Sequence, residues 1–188
     1  MAKMTRIEAL KVIDAEFASD PLVITCGATA REFASFSRRP THLPLLDSMG
    51  LTTPVGLGIA LGFTGNVGVV DGDGSLLMGF SILPTLAAYG PKNLTVIVLD
   101  NGQHASADLF ESQAMHVNIA GAAKGLGIET YECETGDDLK SNIARSKNSN
   151  SVTVIFVKIL QGNTPGIPFF LADPAQLGAN FADALKSK

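Results

Sequence analysis

Two apolar runs in this chain break off into oxygen-bearing side chains. The run opening "VGVV" at Val67 passes into Asp71-Gly72-Asp73-Gly74-Ser75, and "LTVIVL" (94–99) passes into Asp100-Asn101. A carboxylate and an amide oxygen are hard donors of the kind that Mg²⁺ or Ca²⁺ takes. Gly72 and Gly74 remove side chains where backbone must approach a ligand closely. Gly74 and Ser75 lead towards a helix start, whose free N–H groups attract phosphate. Mg²⁺ prefers few protein ligands and completes its shell with phosphate oxygens and water. Asp73 and Asn101, with Gly72, Gly74 and Ser75, therefore describe a metal-bridged diphosphate site. Either motif alone is commonly an ordinary turn; the pairing of the two at this spacing carries the chemistry.

For Asp73 and Asn101 to meet, their strands must lie side by side and parallel. The interval from 67 to 99 suits the roughly 30 residues of a strand–helix–strand unit, which returns Asn101 to the sheet edge that holds Asp73. The rest of the chain alternates in the same way. Thr5-x-x-Glu8 is a capping box ahead of a helical stripe of Ile7, Leu10, Ile13 and Phe17. Strands are expected at 21–26, 66–70, 94–99, 129–133 and 152–159, with a short extended piece at 42–46. Helices are expected at 28–36, from Thr53 (as N-cap, with Pro54 in the first turn) to about Leu61, at 78–89 with a kink at Pro84, at 118–126 and at 137–147. A last helix from Asp173-Pro174 carries Leu177, Phe181 and Leu185 on its inner face. Strands separated by helices predict an α/β fold, a three-layer α/β/α arrangement on a mainly parallel six-stranded sheet. In such sheets ligands bind at the carboxyl ends of the strands. With no repeat, linker or low-complexity tract, residues 1–188 read as one domain.

Composition narrows the possibilities. Hydrophobic residues make up 46% of the 188 and charged residues only 17%. No apolar run approaches the roughly 18 residues of a membrane span, so the surplus is expected in doubly covered strands and in a self-association or partner interface. A net charge of −4 without a Lys/Arg stripe argues against a nucleic-acid groove. The start "MAKMTRIEAL" lacks the apolar core of a signal peptide, so a cytoplasmic location and no membrane contact are expected. Cys26 and Cys133 fall in strand-like runs and read as buried thiols, with disulfide or metal ligand as the alternative.

The Gly72-Asp73-Gly74 triplet and Asn101, with "DSMGLTTPVGLGIALG" (47–62) upstream, resemble the diphosphate-binding half of thiamine-diphosphate-dependent 2-oxo acid decarboxylases. In particular the chain is similar to the β subunit of sulfopyruvate decarboxylases and the matching half of phosphonopyruvate decarboxylases. The resemblance implies thiamine diphosphate and Mg²⁺ as cofactors. It implies that Asp73 and Asn101 ligate the metal by side chain and Gln103 by its backbone carbonyl. Gly74 and Ser75 would hold diphosphate oxygens, with Gly27 of "TCGATARE" helping through its backbone. Met49, before Gly50, would wedge beneath the cofactor and bend it; core filler is the plain alternative for a methionine there. The backbone of Asp47 would accept a hydrogen bond from the aminopyrimidine.

In that family a glutamate on a pyrimidine-binding domain activates the cofactor. These residues hold no second α/β unit, so the resemblance implies a separate pyrimidine-binding subunit that supplies the glutamate, and a small anionic 2-oxo acid as substrate. The family's loop after the asparagine typically carries Ser-Thr-Gly-Gly-Gln, whereas this chain reads "NGQHASADLFESQAMH". His104 and His116 flank that loop. His104 is the candidate catalytic residue, meeting a substrate carboxylate or relaying a proton as histidines do near neutral pH; a solvent-facing or capping role is the alternative. An acetolactate synthase-like or 2-oxoacid oxidoreductase subunit and a catalytically silent homologue stay open, although no iron–sulfur cysteine spacing occurs.

Overall fold

The computed structural model of the chain describes residues 3–104 and 109–186. Helix α1 (Arg6–Glu16) opens with the expected box: the Glu8 N–H donates to Thr5 Oγ1 (3.4 Å), and the Thr5 N–H to Glu8 Oε2 (2.8 Å). The chain continues through β1 (Leu22–Ile24), α2 (Ala28–Ala34), β2 (His42–Pro44), α3 (Thr52–Gly62), β3 (Val67–Gly72), α4 (Asp73–Met78), α5 (Ile82–Tyr89) and β4 (Leu94–Asp100). A small ribbon of β5 (Gln103–His104) and β6 (Phe110–Glu111) follows, then a 3₁₀ turn at Gln113–Met115. The last elements are α6 (Ile119–Gly125), β7 (Glu129–Cys133), α7 (Gly136–Lys147), β8 (Thr153–Lys158) and α8 (Pro174–Lys186).

The main sheet has six strands in the order β2-β1-β3-β4-β8-β7, every pair parallel. Burial on both faces explains why the strands read as continuous apolar runs. Along β4 the two-residue period splits that run between two cores. Val96 and Val98 join Leu57 of α3, Leu83 of α5 and Ala123 of α6 on one side. Ile97 and Leu99 join Leu10 and Ile13 of α1, Phe33 of α2 and Ile143 of α7 on the other. This is the three-layer α/β/α architecture.

The chain order makes a switch point. From β1 it crosses through α2 to β2 on one side, and from β3 it crosses through α4 and α5 to β4 on the other. Connections that diverge in this way leave a crevice at the carboxyl ends of β1 and β3, where ligands bind in open α/β sheets. In the β3–β4 register Gly72 pairs with Leu99, so Asp73 and the Asp100-Asn101 pair leave the sheet at one edge.

Several local expectations need correction. Thr53 is not an N-cap: α3 begins at Thr52, and the Thr53 hydroxyl donates to Asp71 Oδ2 (2.7 Å). A buried carboxylate at the adjoining strand end is the stronger claimant for that hydroxyl. The helix expected over 78–89 begins only at Ile82, and the preceding α4, which lies outside the expected elements, ends at Met78, with Gly79–Ser81 between them. A Cβ on Gly79 would lie 2.2 Å from the Gly50 carbonyl oxygen, so this glycine lets two segments touch backbone to backbone. Pro84 causes no kink; it occupies the first turn of α5, where its missing N–H has no intrahelical partner to lose. The β5–β6 ribbon is an addition to the expected elements. Cys133 is buried as expected, and burial pushes its thiol up to about 11. Cys26 lies just past β1 and is only half-buried.

Candidate functional site

The crevice is a cavity built largely from the turns after β1 and β3. Gly27, Met49, Gly72, Asp73, Gly74, Ser75, Asn101, Gln103 and His104 all border it. So do Arg6 and residues 25–29. Two helix starts converge there. Gly27, at φ 74°, precedes α2, and Gly72 precedes α4; neither helix start has a side-chain cap. The first-turn N–H groups of a helix have no partner within it, so both starts present donors and the positive end of a dipole to the same space.

Beneath this rim the β3 end is fastened by hydrogen bonds. Asp71 is buried and accepts from Thr53 Oγ1 and from the Gly72 N–H (2.9 Å). Burial pushes its carboxyl above the usual carboxylate range, against hydrogen bonds from Ser75, Thr53 and Gly72. Ser75 Oγ accepts from the Gly50 N–H (3.1 Å), which pins the turn after Met49 onto the Gly-Asp-Gly loop. Gly50 has φ +83°, where a side chain would be strained. Met49 itself is half-buried, borders the cavity, and belongs to neither hydrophobic core. Gly50 lies behind it. Asp47, at φ 43°, is exposed and borders an adjoining hollow shared with Gly27 and Ala28 rather than the cavity of Asp73.

Asp73 is the first residue of α4 and only 2% exposed. Its Oδ2 accepts a hydrogen bond from Ser112. Burial pushes this carboxyl up, the Ser112 hydroxyl opposes the rise, and nearby Asp100 adds to it. Among the described residues no lysine, arginine or histidine pairs with it. Asn101 is buried too; its Oδ1 accepts from the Gln103 N–H (3.1 Å), and its Nδ2 has no hydrogen-bond partner. No group of three or more His, Cys, Asp or Glu side chains is placed to hold a metal among the described residues. A cation here would draw on one carboxylate, amide and main-chain oxygens, and a ligand's own oxygens, a donor set suited to Mg²⁺ with phosphate. A buried carboxylate without a counter-ion and an orphaned amide N–H₂ beside it fit that pairing.

Gln103 borders the cavity, and its Oε1 accepts from the Gly162 N–H (3.2 Å). His104 packs on the Gly-Asp-Gly loop itself: a Cβ on Gly74 would stand 2.4 Å from its Cε1. His116 is exposed and borders a different hollow beside Asn118. Residues 105–108 of the loop between them lie outside the described residues.

Sequence reasoning missed several residues. Ser112 carries no motif that announces a partner on β3. Arg6 and Glu32 look like helix-surface residues, yet they form a buried ion pair (2.8 Å) that Asn163 and Thr164 complete. Asp100 pairs with Lys158 across adjacent strands.

This geometry is that of a cofactor domain, and the comparisons give its class. Residues 25–157 match the family described as thiamine pyrophosphate enzyme, C-terminal TPP binding domain. The chain belongs to that family. It is 34% identical over 182 residues to a phosphonopyruvate decarboxylase of Streptomyces viridochromogenes, covering 96% of this chain and 46% of that protein. It is 29% identical over 160 residues to the sulfopyruvate decarboxylase subunit beta of Methanocaldococcus jannaschii, covering 84% of this chain and 85% of that subunit. The chain thus spans about half the length of the former relative and most of the latter. Its fold is that of a benzoylformate decarboxylase from Polynucleobacter necessarius, at TM-score 0.71 and 19% identity, covering 84% of this chain and 33% of that one. Among the described residues no helix is long and apolar enough to cross a membrane.

Proposed function

We propose that this chain is the diphosphate-binding subunit of a thiamine-diphosphate-dependent decarboxylase acting on a small 2-oxo acid with an anionic tail, of the sulfopyruvate or phosphonopyruvate type. The observation that carries the reading is the convergence on one cavity at the switch point of two helix starts without side-chain caps and of Asp73, a buried carboxylate with no cation partner among the described residues. The relatives' names support the decarboxylase class, and "subunit beta" supports a partner chain.

When bound, thiamine diphosphate supplies an electron sink next to the keto carbon of a 2-oxo acid. The work of this chain is to bind and orient. The first-turn N–H groups at Gly74 and Ser75, with Gly27 across the crevice, hold diphosphate oxygens. Asp73 and Asn101 side chains and the Gln103 carbonyl hold Mg²⁺, so that its charge offsets the phosphates. Met49, seated by the Gly50–Ser75 hydrogen bond, would support the cofactor from the cavity wall. The Asp47 main chain, in the adjoining hollow, would accept a hydrogen bond from the aminopyrimidine. His104, packed against Gly74 and bordering the cavity, would donate to an anionic oxygen of diphosphate or of substrate. The activating glutamate comes from a pyrimidine-binding subunit, and the chain alone is silent in catalysis.

The test is titration of the full chain with thiamine diphosphate and Mg²⁺, with CO₂ release from sulfopyruvate and phosphonopyruvate measured with and without the partner. Metal-dependent binding by the chain, with turnover only in the mixture, is expected. Metal-independent or absent binding overturns the cofactor site. Robust turnover by the chain alone overturns the division of labour.

A further inference from the structure

Ser112 ties the segment after the β5–β6 ribbon to the proposed metal site. It follows β6, is only 1% exposed, and sits far from β3 in sequence, yet its hydroxyl donates to Asp73 Oδ2. Hydroxyl bookkeeping gives the direction. Ser112 Oγ accepts from the Ala114 N–H (3.3 Å), so its single hydrogen is left for the carboxylate. The serine is itself held, because its N–H donates to the Gly102 carbonyl (2.9 Å), between Asn101 and Gln103. One residue therefore contacts both halves of the proposed ligand set: the Asp73 carboxylate directly, and the 101–103 turn through its backbone.

We propose that Ser112 is a positioning residue for metal binding: by holding Oδ2 it turns Oδ1 of Asp73 into the cavity and fixes the distance between Asp73 and the 101–103 turn. This rests on the reading of Asp73 as a Mg²⁺ ligand. A ligating carboxylate left to rotate forfeits affinity through lost orientation, and partners of this kind are typically worth 10–100-fold in metal affinity. The effect depends on the metal. Mg²⁺ demands near-octahedral geometry, whereas Ca²⁺ accepts 6–8 oxygens in flexible arrangements. A positioning role thus bears on Mg²⁺ more than on Ca²⁺, which a mere packing role does not.

The experiment titrates Mg²⁺ or Ca²⁺ into the full chain at saturating thiamine diphosphate, for the unaltered protein, Ser112→Ala, Ser112→Thr and Asp73→Ala, with metal-free melting curves alongside. Ser112→Ala should weaken Mg²⁺ binding about tenfold and Ca²⁺ binding distinctly less, and Ser112→Thr, which keeps the hydroxyl, should stay near the unaltered protein. Unchanged Mg²⁺ affinity in Ser112→Ala overturns the inference. So do equal losses for both metals with a lowered metal-free melting temperature, which mark packing alone. Full affinity in Asp73→Ala, or no binding by the unaltered chain, overturns the reading of the site beneath it instead.

Discussion

Asp73 and Asp100 stand at neighbouring strand ends, both buried, and the fold treats them differently. Asp100 receives a cation from within: Lys158, its register partner on β8, pairs with Oδ2, and the Gly102 N–H donates to Oδ1 (3.1 Å). Asp73 receives the neutral Ser112 hydroxyl and main-chain N–H groups but no cation among the described residues, and it borders the cavity. Taking a carboxylate out of water is costly unless it is paired. A carboxylate neutralised by its own sheet is scaffold, here clamping the turn that carries Asn101. In the function proposed above, one left beside an open cavity without a cation takes its cation from solution. The difference between two residues of one type separates structure from function.

The sharpest break in the comparison is removal of each carboxylate. Asp73→Ala should lower Mg²⁺-dependent affinity for thiamine diphosphate about a hundredfold or more, in keeping with the 2–5 kcal/mol lost when one partner of a buried charge pair goes. Asp100→Ala should leave a much larger share of that affinity and show its cost in the melting curve instead, about 1–2 kcal/mol given that Lys158 is half-exposed. Calorimetry and thermal melts on both variants read the two effects; similar affinity losses for both erase the distinction.

Asn101→Ala comes next. It removes a neutral ligand, and about tenfold is expected in the same titration. Met49→Ala should cut turnover of the assembled enzyme more than cofactor affinity, because orientation of reacting groups governs rate. A destabilised variant with normal turnover would make Met49 simple packing.

The smallest effect is on pH dependence. The folded-state carboxyls of Asp71 and Asp73 lie above their ordinary range, so above about pH 4 the unfolded chain gives up these protons first. The folded state then binds more protons than the unfolded, and metal-free stability falls as pH rises through the window up to the raised values. Asp73→Asn should gain stability relative to the unaltered protein across that window. Melts in EDTA from pH 4 to 7 check this; a relative loss with rising pH contradicts it.

How legible these features were follows from how local their causes are. The six-stranded α/β/α fold could be read from alternation of apolar runs and helical stripes, since burial of β3 and β4 on both faces leaves a continuous run in the sequence itself. Asp73 and Asn101 were legible because one crossover unit fixes their separation. The break at Gly79 was not, because its cause is Gly50, a contact between segments remote in the chain. Thr53 was misassigned for a similar reason: its partner Asp71 lies on another element. Ser112, Arg6 and Glu32 carry no local pattern, since their buried partners appear only once the sheet edge is assembled. The 101–116 stretch departs from the family's usual loop, and there sequence resemblance had least to offer.

The most direct measurement is a crystal structure of the full chain with thiamine diphosphate and Mn²⁺, using the anomalous signal of manganese to place the cation. The contrast between the two aspartates predicts one manganese peak at roughly 2.0–2.2 Å from an Asp73 carboxylate oxygen, beside Asn101 and diphosphate oxygens, with the Asp100–Lys158 pair intact and metal-free. A peak bound to Asp100, or diphosphate density outside the crevice between β1 and β3, would contradict it.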